Sequence, residues 1–316
     1  SYNGISRIPP LVIGNNVLLV GRDRTTVRNL AYSFEVDGYA GNDLIVMAGH
    51  LLEGHTIEEW DYAQTPYSVV WAVRDDGVLL GLTYLPEHQV WGWHRHETDG
   101  KIESVCTISG ETQTDVYLIV KRTINGQEKR FIERMMPRIK DRDSKEAFFV
   151  DCGLTYRGDA ATTISGLDHL EGKTVSILAD GAVMPQQTVT NGEIELSSPA
   201  EVVHVGLPYV SDLETLEIDL EDNYGTSQGR AKTIAQIILR FKDTMAAWAG
   251  TGKDALYEMK TRTGDIGEDL AGMFTGDKVI IPDDNYGSSG RVFVRQTAPV
   301  PMTVLAIIPE VISGDR

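Results

Sequence analysis

Between residues 67 and 136, hydrophobic and polar positions alternate with a period of two, broken at regular intervals by turn residues. Tyr67, Val69, Trp71 and Val73 alternate with their neighbours as far as Asp75-Asp76-Gly77, and Val78, Leu80, Leu82 and Tyr84 resume the pattern. Residues 90–96, the turn Asp99-Gly100 and residues 101–108 follow, then residues 114–121, the turn Asn125-Gly126 and residues 127–136. Side chains on a strand point alternately to its two faces, and Asp-Gly and Asn-Gly accept the positive φ of tight hairpin turns. The segment therefore reads as six consecutive antiparallel strands. A meander of this kind is the unit of propeller blades and open barrels, so the predicted class is mainly β with a propeller-like antiparallel meander.

The flanking segments follow other patterns. Residues 11–20 are apolar and β-branched around Gly14-Asn15-Asn16, which predicts a short hairpin. Leu44, Met47, Ala48, Leu51 and Leu52 fall at i, i+3, i+4, i+7 and i+8, with Asn42 or Asp43 as N-cap and Gly54 beyond. That spacing predicts a short amphipathic helix near residues 43–53. Residues 27–34 fit a helix and a strand equally well. Short strands at 174–178, 187–189, 193–196 and 202–206, with turns at Asp180-Gly181 and Asn191-Gly192, predict a small β-barrel over residues 148–210. Residues 234–241, 278–281, 291–296 and 302–309 read as closing strands. Residues 244–260 carry helical spacing that Gly250 and Gly252 interrupt, which predicts a loop. The expected domains are 1–147 (meander and helix), 148–210 (barrel) and 211–316, a closing β segment packing back on the first domain.

Composition narrows the chemistry. Lys and Arg number 29 against 46 Asp and Glu, a net charge of −17. Such a balance argues against a protein that grips phosphates, which needs cations to release counterions. It suits copies that repel one another in solution, or a surface to which nucleic acid does not adhere. No apolar run approaches the ~20 residues of a membrane helix, so no membrane-spanning segment is expected. There is no basic-then-apolar amino terminus of the secretory kind. The two cysteines, Cys106 and Cys152, sit in no metal spacing and read as small buried hydrophobes without need of a disulfide.

His94 and His96 stand at i and i+2 on a strand, where both imidazoles could reach one metal, with His88 or Glu97 as local third ligands. The alternation places Trp91, Trp93 and the stem of Arg95 on one face and the histidines on the other, wetter face, which favours surface or interface histidines. His50 lies near the apolar stripe of the predicted helix, and His55 follows its end, where a histidine commonly meets the last carbonyls. His169 and His204 fall in the predicted barrel with no nucleophile in a recognisable context. Asp75 and Asp76 are adjacent in a turn, where Asp is favoured for backbone reasons, rather than an opposed acid pair. Residues 221–230 and 283–291 echo each other, Glu-Asp-Asn-Tyr-Gly against Asp-Asp-Asn-Tyr-Gly. Their oxygens could serve Ca²⁺, but the spacing lacks the EF-hand pattern and the residues are ordinary turn formers. No nucleophile elbow, phosphate loop or zinc-helix motif is present. The residues thus assign no catalytic, cofactor-binding or metal-binding role.

Several collinear stretches resemble one family. They are Asp43-Leu44 with His50-Leu51-Leu52, residues 69–77 with Leu82-Thr83-Tyr84, and Trp91-Gly92-Trp93-His94-Arg95-His96 within residues 90–100. Arg130-Phe131-Ile132-Glu133-Arg134, His169-Leu170-Glu171-Gly172-Lys173, Ala179-Asp180-Gly181, Val205-Gly206-Leu207-Pro208-Tyr209 and residues 299–305 continue the series. Together they resemble the tail nozzle proteins of short-tailed bacteriophages, also called tail tubular or tail hub proteins. The resemblance implies a structural virion protein of the phage tail, not an enzyme and without cofactors. It implies a ring of identical subunits, usually a hexamer, beneath the portal and adaptor proteins, with tail fibres or spikes attached outside. Double-stranded DNA would pass through the lumen without specific binding. Family members are usually longer at the amino end, so Ser1 is expected to fall within a larger protein. Two readings from other classes stand beside it: a glycan-processing hydrolase, and a carbohydrate-binding module using Trp91 or Trp93 as a stacking platform.

Overall fold

A computed structural model describes residues 4–35, 37–136, 143–222, 225–259, 272–283, 286–287 and 290–313. The chain is mainly β: among the described residues 60% is strand, no helix reaches seven residues, and six antiparallel sheets are formed. Among the described residues these sheets have three or four strands each and are joined by one two-stranded ribbon. The pairing identifies neither a propeller nor a barrel. Two compact units divide the chain, Ser1–Met136 and Pro137–Arg316.

The first unit holds three sheets. The first comprises β1 (Leu11–Ile13), β2 (Asn16–Val20), β3 (Val27–Ser33) and β4 (Gly38–Ala40), and its β1–β2 turn is the hairpin predicted at residues 11–20. The ambiguous segment after residue 26 is thus a strand. The second sheet comprises β5 (Ile57–Ala63), β6 (Val69–Arg74), β7 (Leu79–Leu85) and β8 (Val90–His96), and the third β9 (Lys101–Ser109), β10 (Thr114–Ile124) and β11 (Gln127–Met135). Strands β6 to β11 are the six predicted ones. They do not run as one sheet, because pairing stops between β8 and β9.

Burial explains the layering. Every residue of β6 is buried, and its alternate side chains enter different cores. Val70 and Ala72, with Leu80 and Leu82, pack against Leu18, Val20 and Val27 of the first sheet. Val69, Trp71 and Val73 pack against Ile102, Val105, Val116 and Leu118 of the third. The second sheet is therefore the middle layer. Each large aliphatic side chain taken fully out of water contributes about 1.5–3 kcal/mol, so both interfaces are strongly held. The outer edge of β9 is closed by side chains rather than by a strand. Asp61 on β5 accepts the Thr107 amide at 2.6 Å, Glu59 accepts that of Val105 at 3.4 Å, and the Thr107 hydroxyl donates to the Tyr62 carbonyl at 3.0 Å.

The amphipathic helix expected near residues 43–53 is not formed. The segment is a chain of turns ending in a 3₁₀ turn at Gly49–Leu52, with amide-to-carbonyl bonds three residues apart at Ala48 to Ile45 and Leu51 to Ala48. The chain is held to β3 where the helix would begin, since the Leu44 amide donates to the Val27 carbonyl at 2.8 Å. Gly49, which disfavours helix by about 1 kcal/mol, follows. The apolar stripe is nonetheless used: Leu44, Ala48, Leu51 and Leu52 enter the first core, joined by Ile45. Met47, counted in the stripe, is 87% exposed.

In the second unit, β12 (Asp151–Ile164), β13 (Thr174–Ala179), β14 (Ala182–Thr188) and β15 (Ile194–Leu207) form a sheet in the order β12-β15-β13-β14. The two short strands expected at 193–196 and 202–206 are one long strand, because the register shifts against β12 let it bend without breaking. Ile164, Leu167, Val175, Ile177, Val203 and Val205 form its core.

The remaining strands are β16 (Ser211–Glu214), β17 (Glu221–Asp222), β18 (Gly225–Thr226), β19 (Lys232–Thr244), β20 (Trp248–Gly252), β21 (Ala255–Glu258), β22 (Phe274–Ile280), β23 (Phe293–Gln296) and β24 (Val304–Ser313). Sheets β16-β23-β20-β21 and β22-β19-β24 share one core of Ile237, Leu239, Phe241, Ala249 and Val294, and β17-β18 is the ribbon. The loop expected at 244–260 is instead the hairpin β20–β21, residue 260 lying outside the described residues. Gly250 is what permits it: a Cβ there would stand 1.7 Å from the Ala255 carbonyl oxygen. The glycine that interrupts a helix is required by the hairpin.

Replacing Asp61 with Ala leaves the Thr107 amide without its acceptor and is expected to destabilise the first unit by about 1–3 kcal/mol in a urea melt. An unchanged midpoint would show that water satisfies the amide instead.

Candidate functional site

The histidine pair on β8 packs across its own sheet. His94 Nδ1 is 2.7 Å from His96 Nε2, and both rings meet Trp71 edge to face, at 5.7 and 5.1 Å between centroids. The His94 ring rests on Gly81, where a Cβ would stand 2.0 Å from its Cε1. Both histidines are half-buried, so the face expected to be the wetter one is partly covered by their packing on Trp71, which the β8 alternation by itself did not show. His88 and Glu97 are not brought to the pair as ligands: His88 is exposed in a 3₁₀ turn, and Glu97 pairs with Arg95 at 3.1 Å. The arrangement ties β8 to β6 across β7.

A second cluster forms where residues 55 and 75–76 meet. His55, Asp75 and Asp76 bring one ligand atom each within 4.8 Å of one another. His55 Nδ1 lies 2.9 Å from Asp75 and its Nε2 3.6 Å from Asp76. His55 thus meets the β6–β7 turn rather than helix-end carbonyls. Arg74 donates to both oxygens of Asp76, at 2.8 and 2.5 Å, and to the Leu51 carbonyl at 2.6 Å. The hydrogen bond from Arg74 holds Asp76 down to a pKa of about 2. Through Arg74, Asp76 anchors the β6–β7 turn to the segment 44–52. His50 is exposed in that segment.

His204 is the buried histidine of the molecule's second unit. Its ring stacks on Phe148 at 4.0 Å, Nε2 donates to the Lys145 carbonyl at 2.8 Å, and Nδ1 accepts the Thr155 hydroxyl at 2.8 Å. Burial lowers its pKa below 6.5. Together with the Arg157–Glu146 pair it clamps residues 145–148 on the sheet. His169 donates from Nε2 to the Cys152 carbonyl at 3.1 Å. Sequence reasoning could see only that no nucleophile accompanies these histidines; their clamping role depends on contacts 59 and 17 residues away.

The echoed loops fall partly outside the described residues, which exclude Asn223, Tyr224, Asp284, Asn285, Ser288 and Ser289. In the described part of the first, Asp219 accepts bonds from Thr226, Gln228 and both the amide and hydroxyl of Ser227, and these hold its carboxyl below the usual range. Asp219 was not singled out by the sequence pattern, yet it organises the turn. In the second, Gly287 pairs with Lys232 through main-chain bonds in both directions.

Trp93 is packed on the first core and donates its Nε1 proton to the Leu44 carbonyl at 2.9 Å, whereas Trp91 is exposed. Of the two tryptophans, Trp93 is taken up by packing and Trp91 stays open to solvent. Cys106 is exposed, contrary to the expectation of burial, because it stands opposite Tyr117 on the outward face of the third sheet. Cys152 is half-buried. A cavity of about 60 Å³ lies among Phe149, Tyr209, Ser211, Gln296, Val300 and Met302. It has room for about two waters and no carboxylate in its wall, far below the ~300 Å³ of a small-molecule site.

Comparison of the chain with protein-family models gave no match, and comparison with curated proteins gave no significant one.

Because the His204 pKa is lowered on folding, the stability it contributes is fully present above about pH 6.5 and is lost as pH falls toward the lower folded value. The His204→Gln variant is expected to melt with less pH dependence between pH 7 and 5 than the parent, and equal slopes would exclude the clamp.

Proposed function

We propose that this chain is a structural subunit of a phage tail conduit, the nozzle through which genomic DNA leaves the capsid. One observation carries the reading: the side chains that could do chemistry are engaged in holding sheets together, while the surface keeps a large negative charge. His94, His96, Asp75, Asp76 and His204 all serve packing or turns. The net charge of −17 repels phosphate, so a duplex under pressure can slide past such a wall without being held.

A propeller-like meander and a small barrel are part of the same proposal. Sheets β1–β4 and β5–β8 are sequential four-stranded antiparallel meanders, the order of a propeller blade. Strands β12 and β15 run 14 residues each with register shifts, which is how strands bend toward a small barrel. The collinear resemblance to tail nozzle proteins includes stretches in β6, β7, β8 and β15 of these strands. In this reading identical subunits surround the lumen, portal and adaptor proteins lie above, and fibres or spikes attach outside.

The test is imaging and docking. Purified protein examined by negative stain is expected to show closed rings, or to bind purified portal–adaptor complexes, and to leave duplex DNA unshifted in a gel at physiological salt. Hydrolysis of a glycan, lost on replacing a single Asp or Glu, would sink the proposal.

A further inference from the structure

The first unit is a stack of three sheets whose two end faces are both apolar and are different from each other. In the first sheet, alternation sends Leu18, Val20 and Val27 inward. The register puts Val12 opposite Val17, Val17 opposite Leu30, and Tyr32 opposite Tyr39, all on the outward side. Val12 is 73% exposed, Tyr39 79% and Phe34, at the hairpin tip, 91%. The tip is ordered in advance: Phe34 and Tyr39 each meet Tyr32 edge to face, and the Tyr32 hydroxyl donates to Asp37 at 2.5 Å.

At the opposite end, the third sheet sends Val116, Leu118 and Val120 inward. Its outward side pairs Ile119 with Ile132 and Tyr117 with Cys106, and Ile108 stands opposite Asp115. Ile132 is 80% exposed. Ion pairs rim this apolar centre, Arg130 with Glu103, Lys121 with Glu128, and Arg134 with Asp115. An apolar centre inside a polar rim is the anatomy of a protein interface.

We infer that these two faces pack on each other between neighbouring copies of the chain, the aromatic end of one copy on the isoleucine end of the next. Three observations choose a second copy as the occupant. The first is continuity: inside the unit, sheet already packs on sheet through alternating apolar side chains at both interfaces, and on the end faces Val12, Tyr39 and Ile132 repeat that pattern while staying exposed among the described residues. The second is charge. The aromatic tip carries Glu35 and Asp37 with no cation between residues 31 and 40. At the isoleucine end Arg134 is the most loosely paired rim cation, 3.8 Å from Asp115 against 2.6 Å for Arg130 with Glu103 and 3.2 Å for Lys121 with Glu128. The third is area. The three rings alone expose on the order of 400 Å², and Val12, Val17 and Leu30 bring the face toward the about 800 Å² per partner of a stable interface.

Because the faces are unlike, the contact is heterologous, and repeated contacts of that kind close into a ring or extend as a filament. The inference deepens the conduit proposal by naming the surfaces that would join its subunits.

The test uses two double variants of the full chain, Phe34→Lys with Tyr39→Lys, and Ile119→Lys with Ile132→Lys. All four positions are at the surface, and each protein is checked by circular dichroism. In sedimentation velocity the parent is expected to associate, and each variant alone to associate at least about thirtyfold more weakly. Mixed together, the variants are expected to form a one-to-one dimer that grows no further, since each retains the face the other lacks. A parent that stays monomeric, a variant that still assembles alone, or a mixture that does not pair would each overturn the inference. As a second readout, Phe34→Cys under mild oxidation is expected to give an interchain disulfide to Cys106, mapped by peptide mass; its absence from assembled protein also counts against the pairing. Rings that persist in both variants would sink the end-face contact and leave the conduit reading standing. A mixed dimer from a parent that forms only open chains would do the reverse.

Discussion

The first unit depends on one constraint: the middle sheet is covered on both faces. A strand with one buried face tolerates polar residues on the other, but β6 has none to spare, and Val69 to Val73 are apolar without exception. Its two sets of side chains fix the register of two neighbouring sheets at once. A slip of one residue would carry Trp71 out of one core and Ala72 out of the other. That double penalty is why the meander holds a single arrangement despite many short strands.

Polar groups complete what burial begins. Arg74, 8% exposed, spans from Asp76 to the Leu51 carbonyl, and Arg122, 2% exposed, grips both oxygens of Glu133 while donating to Thr98 and the Asp99 carbonyl. Each cation neutralises a carboxylate and satisfies turn carbonyls that would otherwise be stranded. A buried pair of this kind costs several kcal/mol to break on one side, because the remaining charge has no water to replace its partner. The histidines act likewise as bridges, His94 and His96 over Trp71, His204 over Phe148. The molecule uses side chains of catalytic type as rivets.

Much of this was legible in the sequence where the signal is local. Asp75-Asp76-Gly77 and Asn125-Gly126 mark hairpin turns, Asp99-Gly100 instead carries the chain from one sheet to the next, and all six strands around them are present. The closing strands β19, β22, β23 and β24 lie where apolar runs placed them. What failed was decided at a distance. The helical spacing at residues 44–52 is real, but the Val27 carbonyl captures the Leu44 amide, and turns bury the same leucines that a helix would. Gly250 breaks a helix in the sequence, and only the approach of Ala255 shows why it is needed. Likewise the histidine pair reads as surface along β8 alone, since nothing in residues 90–96 says that Trp71, two strands away, lies against both rings. The turn at Asp75-Asp76 was readable; that Arg74 and His55 would converge on it was not.

The capped margin of β9 has a consequence for how the molecule can meet others. An unprotected strand margin offers a row of amides to any extended peptide and so invites indiscriminate ribbon growth. On β9 the carboxylates of Glu59 and Asp61 already occupy two of those amides. An invading strand would have to displace charged acceptors and leave them stripped of water. Lateral zippering at this margin is thereby closed, and contact with a neighbour is steered to flat surfaces, where side-chain shape rather than backbone decides the match.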